Sequence, residues 1–139
     1  MALERSLAII KPDAVARGLT GEILKRIHES GFQIVAIKSV RLSKAEAEGF
    51  YAVHRGKPFF EPLTQFMSSG KAVVLVLEAE GTIARWREVM GATDPAKAAP
   101  GTIRREFGTS VQNNCIHGSD ATVTAAFEVG YFFSGHELL

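Results

Sequence analysis

Residues 72–77 read Ala-Val-Val-Leu-Val-Leu, an uninterrupted apolar run rich in β-branched side chains. Such a run, without polar alternation, predicts a β-strand that is buried on both faces. A second apolar run, Ser6–Ile10, ends at Lys11-Pro12 and predicts another buried strand, which the proline stops. These two runs are the clearest strands in the chain.

The remaining pattern alternates helices with strands. Ser43 and Glu46 form a capping-box sequence, which predicts a helix from there to about His54. By periodicity and turn residues we predict further helices near 20–30, 58–68, 82–90 and 121–131, and further strands at 32–42 and 114–116. This order predicts a split βαβ arrangement in an α+β, ferredoxin-like sandwich, with helices packed on a small antiparallel four-stranded sheet.

Residues 91–113 show no sustained periodicity and contain two prolines and three glycines. They predict a loop. A loop of this length is unusual inside a compact domain, and when it occurs it often carries function.

Length and composition narrow the class of protein. The 139 residues fit a single domain spanning residues 1–139, and the net charge of +1 gives no general attraction to nucleic acid or to an acidic membrane. The single cysteine, Cys115, cannot form an internal disulfide. The N-terminus lacks a signal-peptide pattern, and no apolar run approaches the ~20 residues that span a bilayer. We therefore expect a cytoplasmic protein.

The segment Asn114–Asp120, NCIHGSD, lies at a predicted strand-to-helix junction. A neutral imidazole is a competent nucleophile toward phosphorus near pH 7, provided that a partner holds its other ring nitrogen. His117 is therefore a candidate nucleophile, and Ser119 and Asp120 are candidate caps for the last helix. The alternative is a surface histidine that precedes a helix cap.

Cationic and hydroxyl side chains surround this segment in sequence. Arg85 and Arg87 precede the long loop, and Thr93, Lys97, Arg104 and Arg105 lie within it. Arginine contacts phosphate oxygens in a planar, bidentate manner. Each of these charges, taken alone, could be a solvated surface group. Because the chain contains no P-loop motif, phosphates would have to be held by side chains and Mg²⁺.

The motif N-x-x-H-G-S-D at residues 114–120 resembles the active-site signature of nucleoside diphosphate kinases. Further segments resemble that family in order and spacing over nearly the whole chain: IIKPD at 9–13, FY at 50–51, KPFF at 57–60, MGAT at 90–93, PGTIR at 100–104 and YFF at 131–133. The chain departs from the family pattern at Lys71, where proline is usual, and at Asp94, where asparagine is common.

The resemblance implies transfer of the γ-phosphoryl group from a nucleoside triphosphate, typically ATP, to a nucleoside diphosphate. The reaction would be ping-pong, through a phosphohistidine on the δ nitrogen of His117. Nucleotide binding would fall to Lys11, Phe59, Arg87, Thr93, Arg104, Val111 and Asn114. Tyr51, Ser119 and Glu128 would order the histidine and its surroundings.

The resemblance also implies how the nucleotide and the subunits assemble. Mg²⁺ would be held mainly by nucleotide phosphates and water, without a protein metal site. Phe59 would stack on any base, so base selectivity should be low. The family forms homo-oligomers, commonly tetramers or hexamers.

Two other functions compete with this one. A nucleic-acid-binding module usually needs aromatic residues on its central strands, and SLAIIK and AVVLVL have none. A regulatory relative that acts through protein contacts would not need an intact site, whereas His117, Lys11, Arg87, Arg104 and Asn114 are all present here.

Overall fold

The sheet has four antiparallel strands in the order β2-β3-β1-β4, in a computed structural model that describes residues 2–139. The strands are β1 (Leu3–Ile10), β2 (Gln33–Arg41), β3 (Lys71–Glu80) and β4 (Ile116–Gly118). Because β1 and β2 are both antiparallel to β3, they run in the same direction with β3 between them. This is the predicted split βαβ arrangement, and the predicted fold class is confirmed.

Both faces of the sheet are buried. Along β3, Val73, Leu75 and Leu77 enter one core, whereas Ala72, Val74 and Val76 enter the other. Successive side chains of a strand point to opposite faces, so an unbroken apolar run requires a covering layer on each side. The prediction made from residues 72–77 is therefore confirmed.

Helices supply the two covering layers. They are α1 (Pro12–Ala16), α2 (Thr20–Glu29), α3 (Lys44–Phe50), α4 (Phe60–Met67), α5 (Thr82–Met90), α6 (Ile103–Phe107) and α7 (Thr122–Phe132), with short 3₁₀ turns at Ala52–His54, Pro95–Lys97 and His136–Leu138. Residues of α2, α5 and α6 pack in one core, and residues of α3, α4 and α7 pack in the other. No helix formed by residues 2–139 is long and apolar enough to cross a membrane.

Two short helices were not predicted. α6 interrupts the predicted loop, where the Thr102 hydroxyl accepts a hydrogen bond from the Arg105 N–H and Ile103 enters the core. α1 follows β1 directly because Pro12 occupies its first position, where no N–H is needed. Helices of five residues are too short for periodicity to reveal.

The chain around Cys115 also differs from the prediction. The fourth strand was placed at residues 114–116, but it begins at Ile116, and Cys115 has a φ of 75°. The predicted start of this strand at Asn114 is therefore wrong. The predicted caps of α7 are wrong as well, because Ala121 is the N-cap and the Ser119 side chain is engaged elsewhere.

Candidate active site

A cleft of about 390 Å³ gathers the predicted site residues. Ten of the eleven line it, and only Ser119 does not: Lys11, Tyr51, Phe59, Arg87, Thr93, Arg104, Val111, Asn114, His117 and Glu128. They come from the end of β1, the α3–α4 connection, α5, the long loop, β4 and α7. The fold thus joins segments that are more than one hundred residues apart in sequence.

His117 lies at the centre of β4 and pairs with Ile9 of β1. Its Nε2 is 2.8 Å from Oε1 of Glu128, and the Ser119 hydroxyl donates to the same oxygen at 2.8 Å. A carboxylate accepts hydrogen bonds, so Nε2 carries the proton and Nδ1 keeps the unshared electron pair. The expected partner for the second ring nitrogen is therefore present, and Glu128 is not a plain exposed helix residue.

Hydrogen bonds hold the backbone at and just after His117 in place. The Trp86 indole N–H donates to the His117 carbonyl at 3.4 Å, and the Ser119 hydroxyl accepts from the Leu7 N–H at 3.1 Å. A side chain at Gly118 would lie 2.6 Å from the Trp86 ring, so glycine is required for this close approach. Trp86 is fully buried and packs in the core.

Two aromatic rings border the imidazole. The Phe50 and Tyr51 ring centroids lie 5.6 Å and 6.4 Å from that of His117, both edge to face. Burial, with a smaller contribution from the Glu128 charge, raises the pKa of Tyr51. Its hydroxyl therefore stays protonated at neutral pH and can donate a hydrogen bond.

A chain of hydrogen bonds ties the end of β1 to the long loop. The Lys11 ammonium donates to Oδ1 of Asn114 at 2.8 Å, and Nδ2 of Asn114 donates to the Thr93 carbonyl at 3.0 Å. Burial, reinforced by the Arg104 charge, lowers the pKa of Lys11 to about 8. An anionic ligand would relieve both effects.

Arg104 is buried and held by two backbone carbonyls. Its Nη1 and Nη2 donate to Gly91 and Ile116 at 3.0 Å and 2.8 Å. Burial and the nearby Arg87 charge lower the pKa of Arg104 to about 10. Its buried Nε–H has no hydrogen-bond partner among residues 2–139. The guanidinium is thus held in position before a ligand binds, and its remaining N–H groups can bind an anion.

Three of the six residues expected to converge on the histidine do not reach the cleft. Arg85 binds the carbonyls of Glu80 and Ser30, and Arg105 binds those of Ala96 and Ala98. Lys97 does not line the cleft but lines an adjoining open depression, which shares Arg87 and Thr93 with it. Backbone carbonyls in loops and at helix ends bind arginine side chains, just as phosphate does. Closeness to the motif in sequence does not show which of these partners an arginine binds.

Several residues of the cleft were not predicted as site residues. His54 stacks against Tyr51 and lies edge to face with Phe59, with ring centroids 6.2 Å and 5.1 Å away. Asp120 and Thr124 also line the cleft. A hydrogen bond from the Thr124 hydroxyl is the main cause that lowers the pKa of Asp120. Asp120 lies inside the NCIHGSD motif, and this position in the motif could have predicted it as a site residue.

The two departures from the family pattern lie away from this chemistry. Lys71 starts β3 opposite Arg41 of β2. The Asp94 carboxylate accepts the Ala96 N–H at 3.0 Å and caps the 3₁₀ turn at Pro95–Lys97.

Known proteins resemble this chain along its full length. A sequence model of the family described as nucleoside diphosphate kinase matches residues 4–138. A nucleoside diphosphate kinase of Syntrophotalea carbinolica is 62% identical over 99% of this chain and 100% of its own length. One from Desulfotalea psychrophila is 61% identical, with the same coverage.

Solved structures agree with these sequences. The Aquifex aeolicus nucleoside diphosphate kinase has a TM-score of 0.97 at 48% identity, covering 99% of this chain and 100% of its own. A nucleoside diphosphate kinase from Halobacterium salinarum, solved in complex with CDP, has a TM-score of 0.95 at 39% identity, covering 99% and 92%. Sequence, fold and cleft agree, and this chain belongs to the nucleoside diphosphate kinase family.

Proposed function

We propose that the protein transfers the γ-phosphoryl group of a nucleoside triphosphate, typically ATP, to a nucleoside diphosphate through a phosphohistidine on His117. One observation carries the proposal. The imidazole has Nε2 tied to Glu128, which leaves Nδ1 as the nucleophilic nitrogen in a cleft lined by Lys11, Arg87 and Arg104. Membership of the family supports the same reaction.

In the first half-reaction, the Nδ1 electron pair attacks the γ-phosphorus. An N–P bond forms, the bond from that phosphorus to the β,γ-bridging oxygen breaks, and the diphosphate leaves with the bond electrons. The ring keeps its Nε2 proton and gains positive charge, which the Glu128 carboxylate offsets at 2.8 Å. No separate general base is needed, because Nδ1 carries no proton.

The second half-reaction reverses the first. A terminal oxygen of the acceptor diphosphate attacks the phosphorus, the N–P bond breaks, and its electron pair returns to Nδ1. Donor and acceptor thus use one site in turn, which gives ping-pong kinetics.

The cationic groups match a transferred phosphoryl group. We assign the β- and γ-phosphates to Arg87, Thr93 and Arg104. Lys11 would contact the phosphates and the ribose 3′-hydroxyl, and Asn114 would bind the ribose hydroxyl. Phosphoryl transfer depends mainly on positioning and charge stabilisation, so a rigid guanidinium is well suited to it. Arg104 is rigid because two carbonyls hold it, whereas Arg87 and Thr93 are exposed at the rim.

We assign the base to the outer part of the cleft. Phe59 and Val111 are 48% and 57% exposed, which suits a clamp that closes on a ligand. Stacking does not distinguish bases, because every base has a π-face. We therefore propose low base selectivity.

Mg²⁺ would enter with the nucleotide. Residues 2–139 contain no cluster of three or more His, Cys, Asp or Glu side chains that could hold a metal ion. Of the two carboxylates in the cleft, Glu128 is engaged by His117 and Ser119, which leaves Asp120 to meet the water shell of such an ion. When bound, the ion would neutralise phosphate charge.

We further propose a cytoplasmic homo-oligomer, either a tetramer or a hexamer. β2 is an edge strand with Ile37 46% exposed, and an unpaired edge of this kind invites pairing with a second chain. Sedimentation equilibrium tests this assembly, and a monomer at micromolar concentration would refute it.

Initial-rate kinetics test the proposed reaction. With MgATP as donor and varied GDP or CDP as acceptor, we expect parallel double-reciprocal lines and loss of activity in His117→Ala. Intersecting lines would mean that both nucleotides bind together, which a phosphohistidine route does not allow. Full nucleotide affinity without turnover would favour the regulatory alternative.

A further inference from the structure

The turn that leads into β4 has an unusual backbone. Cys115 is the only non-glycine residue of 2–139 with a positive φ, at 75°. The Ile116 N–H donates to the Asn114 carbonyl at 2.9 Å, which closes a γ-turn with Cys115 at its centre. A γ-turn with positive φ is the rarer and more strained form, and residues with a Cβ disfavour it.

This turn joins two residues of the proposed site. Asn114 on one side binds Lys11 and Thr93, and His117, two residues beyond Cys115, binds Glu128. Rotation of Cys115 to a negative φ would redirect the chain between them. Asn114 and His117 can keep their partners together only while the strained turn persists.

The junction of β1 and α1 holds the turn in place. The Lys11 N–H donates to the Cys115 carbonyl at 2.9 Å, and the Cys115 N–H donates to Oδ2 of Asp13 at 3.2 Å. The Lys11 bond belongs to the backbone and is available to any residue. The Asp13 bond depends on one side chain.

The Asp13 carboxylate is only partly satisfied at this position. Its other oxygen, Oδ1, is buried without a hydrogen-bond partner among residues 2–139, and its carboxylate forms no ion pair within that range. A buried carboxylate oxygen of this kind is unfavourable. Strained backbone and unsatisfied polar groups concentrate where a site demands them.

We propose that Asp13 is a positioning residue for phosphoryl transfer. Its carboxylate holds Cys115 in the γ-turn with positive φ. The turn thereby keeps His117 beside Glu128 and Asn114 beside Lys11. This inference rests on the proposed function. Asp13 itself lies outside the group of residues that line the cleft. Its effect on the rate is transmitted through the turn.

Glycine at position 115 separates this role from simple stabilisation. Glycine adopts a positive φ without penalty, so a chain with Cys115→Gly needs the Asp13 clamp less. Alanine at the same position also removes the thiol but keeps the Cβ, and therefore keeps the penalty. Asp13→Ala is thus combined in turn with Cys115→Gly and with Cys115→Ala.

The readout is the single-turnover rate at which MgATP phosphorylates His117, measured by rapid quench at a temperature where circular dichroism shows every variant folded. For Asp13→Ala we expect a loss on the order of 10- to 100-fold, as for a lost hydrogen bond to a charged group. Cys115→Gly should restore about tenfold in that background, which is the part due to the φ penalty. Cys115→Ala should restore nothing.

A matched control is Glu4→Ala, which also removes a carboxylate that accepts a backbone N–H at 3.2 Å, here that of Ile83. It should leave the rate unchanged. If Asp13→Ala does not fold, Asp13→Leu, which is similar in size to aspartate and has no hydrogen-bond acceptor, makes the comparison with the same two substitutions at Cys115.

Two results would overturn the inference: an Asp13 variant as fast as the wild type, or equal rates in the glycine and alanine double variants. A wild type that takes up no phosphoryl group would instead refute the proposed function.

Discussion

Burial of the Lys11 ammonium group should lower the free energy of unfolding of this protein. Lys11 is 7% exposed, and burial with the Arg104 charge lowers its pKa from 10.5 to about 8. The folded state therefore binds fewer protons than the unfolded state between pH 8 and 10.5. In this window stability rises with pH, and below pH 8 the full cost of the buried charge is present.

The size of this cost follows from the shift. A pKa change from 10.5 to about 8 corresponds to about 3 kcal/mol below pH 8. Of this, about 2 kcal/mol should be recovered between pH 7 and pH 9.5. Lys11→Met carries no such charge, so its stability relative to the wild type should fall by about 2 kcal/mol over the same interval.

Urea unfolding of both proteins at the two pH values measures this change, in phosphate-free buffer and without nucleotide. Taking the difference between the proteins cancels groups common to both, such as Cys115, whose pKa burial raises to about 11. Lys25→Met, at an exposed lysine of α2, is the matched control and should show a constant difference. A constant difference for Lys11→Met would refute the reasoning.

Three substitutions test other parts of the site. Glu128→Gln removes the charge that offsets phosphorylated His117, so rapid-quench phosphorylation should slow by about 10- to 100-fold; an unchanged rate would exclude this role. Phe59→Ala removes stacking worth about 1–3 kcal/mol, so kcat/KM should fall about equally for purine and pyrimidine diphosphates; loss for one class alone would contradict the base assignment. Gly118→Ala places a Cβ 2.6 Å from Trp86 and should destabilise the fold by about 1–3 kcal/mol in urea unfolding. Equal stability would show that the Trp86 contact is loose.

The sheet could be predicted because its central strands have a strong pattern. Residues 72–77 and 7–10 are apolar on successive positions, and both faces of the strands that contain them are buried. Periodicity needs length, however, and the five-residue helices α1 and α6 offer too few positions. They depend on Pro12 and on the Thr102 cap, which are local signals that also occur in loops.

The location of the candidate site could be predicted from the motif around His117, whereas its supporting contacts could not. The γ-turn at Cys115 arises from tertiary hydrogen bonds to Lys11 and Asp13, about one hundred residues earlier. Cysteine has no preference for positive φ, so no feature of the local sequence predicts the turn. His54 and Phe59, whose rings are in contact, both precede the motif by more than fifty residues, so the motif does not predict their contact.

Charge pattern alone overestimated the number of phosphate ligands. Arg85, Arg105 and Lys97 lie near the motif in sequence. The two arginines bind backbone carbonyls, however, and the lysine lines a depression that adjoins the cleft. Arg104 differs because α6 directs it inward, where it is buried. The orientation of α6 therefore brings Arg104, and not its neighbour Arg105, into the cleft.

The central claim is that His117 carries a phosphoryl group during the reaction. The direct test is the intact mass of the protein after incubation with MgATP and no acceptor, beside a His117→Ala control. We predict one added phosphoryl group that is absent in the control, labile to acid and discharged by a nucleoside diphosphate. An unmodified wild type that still binds nucleotide, or equal modification of the control, would contradict the account.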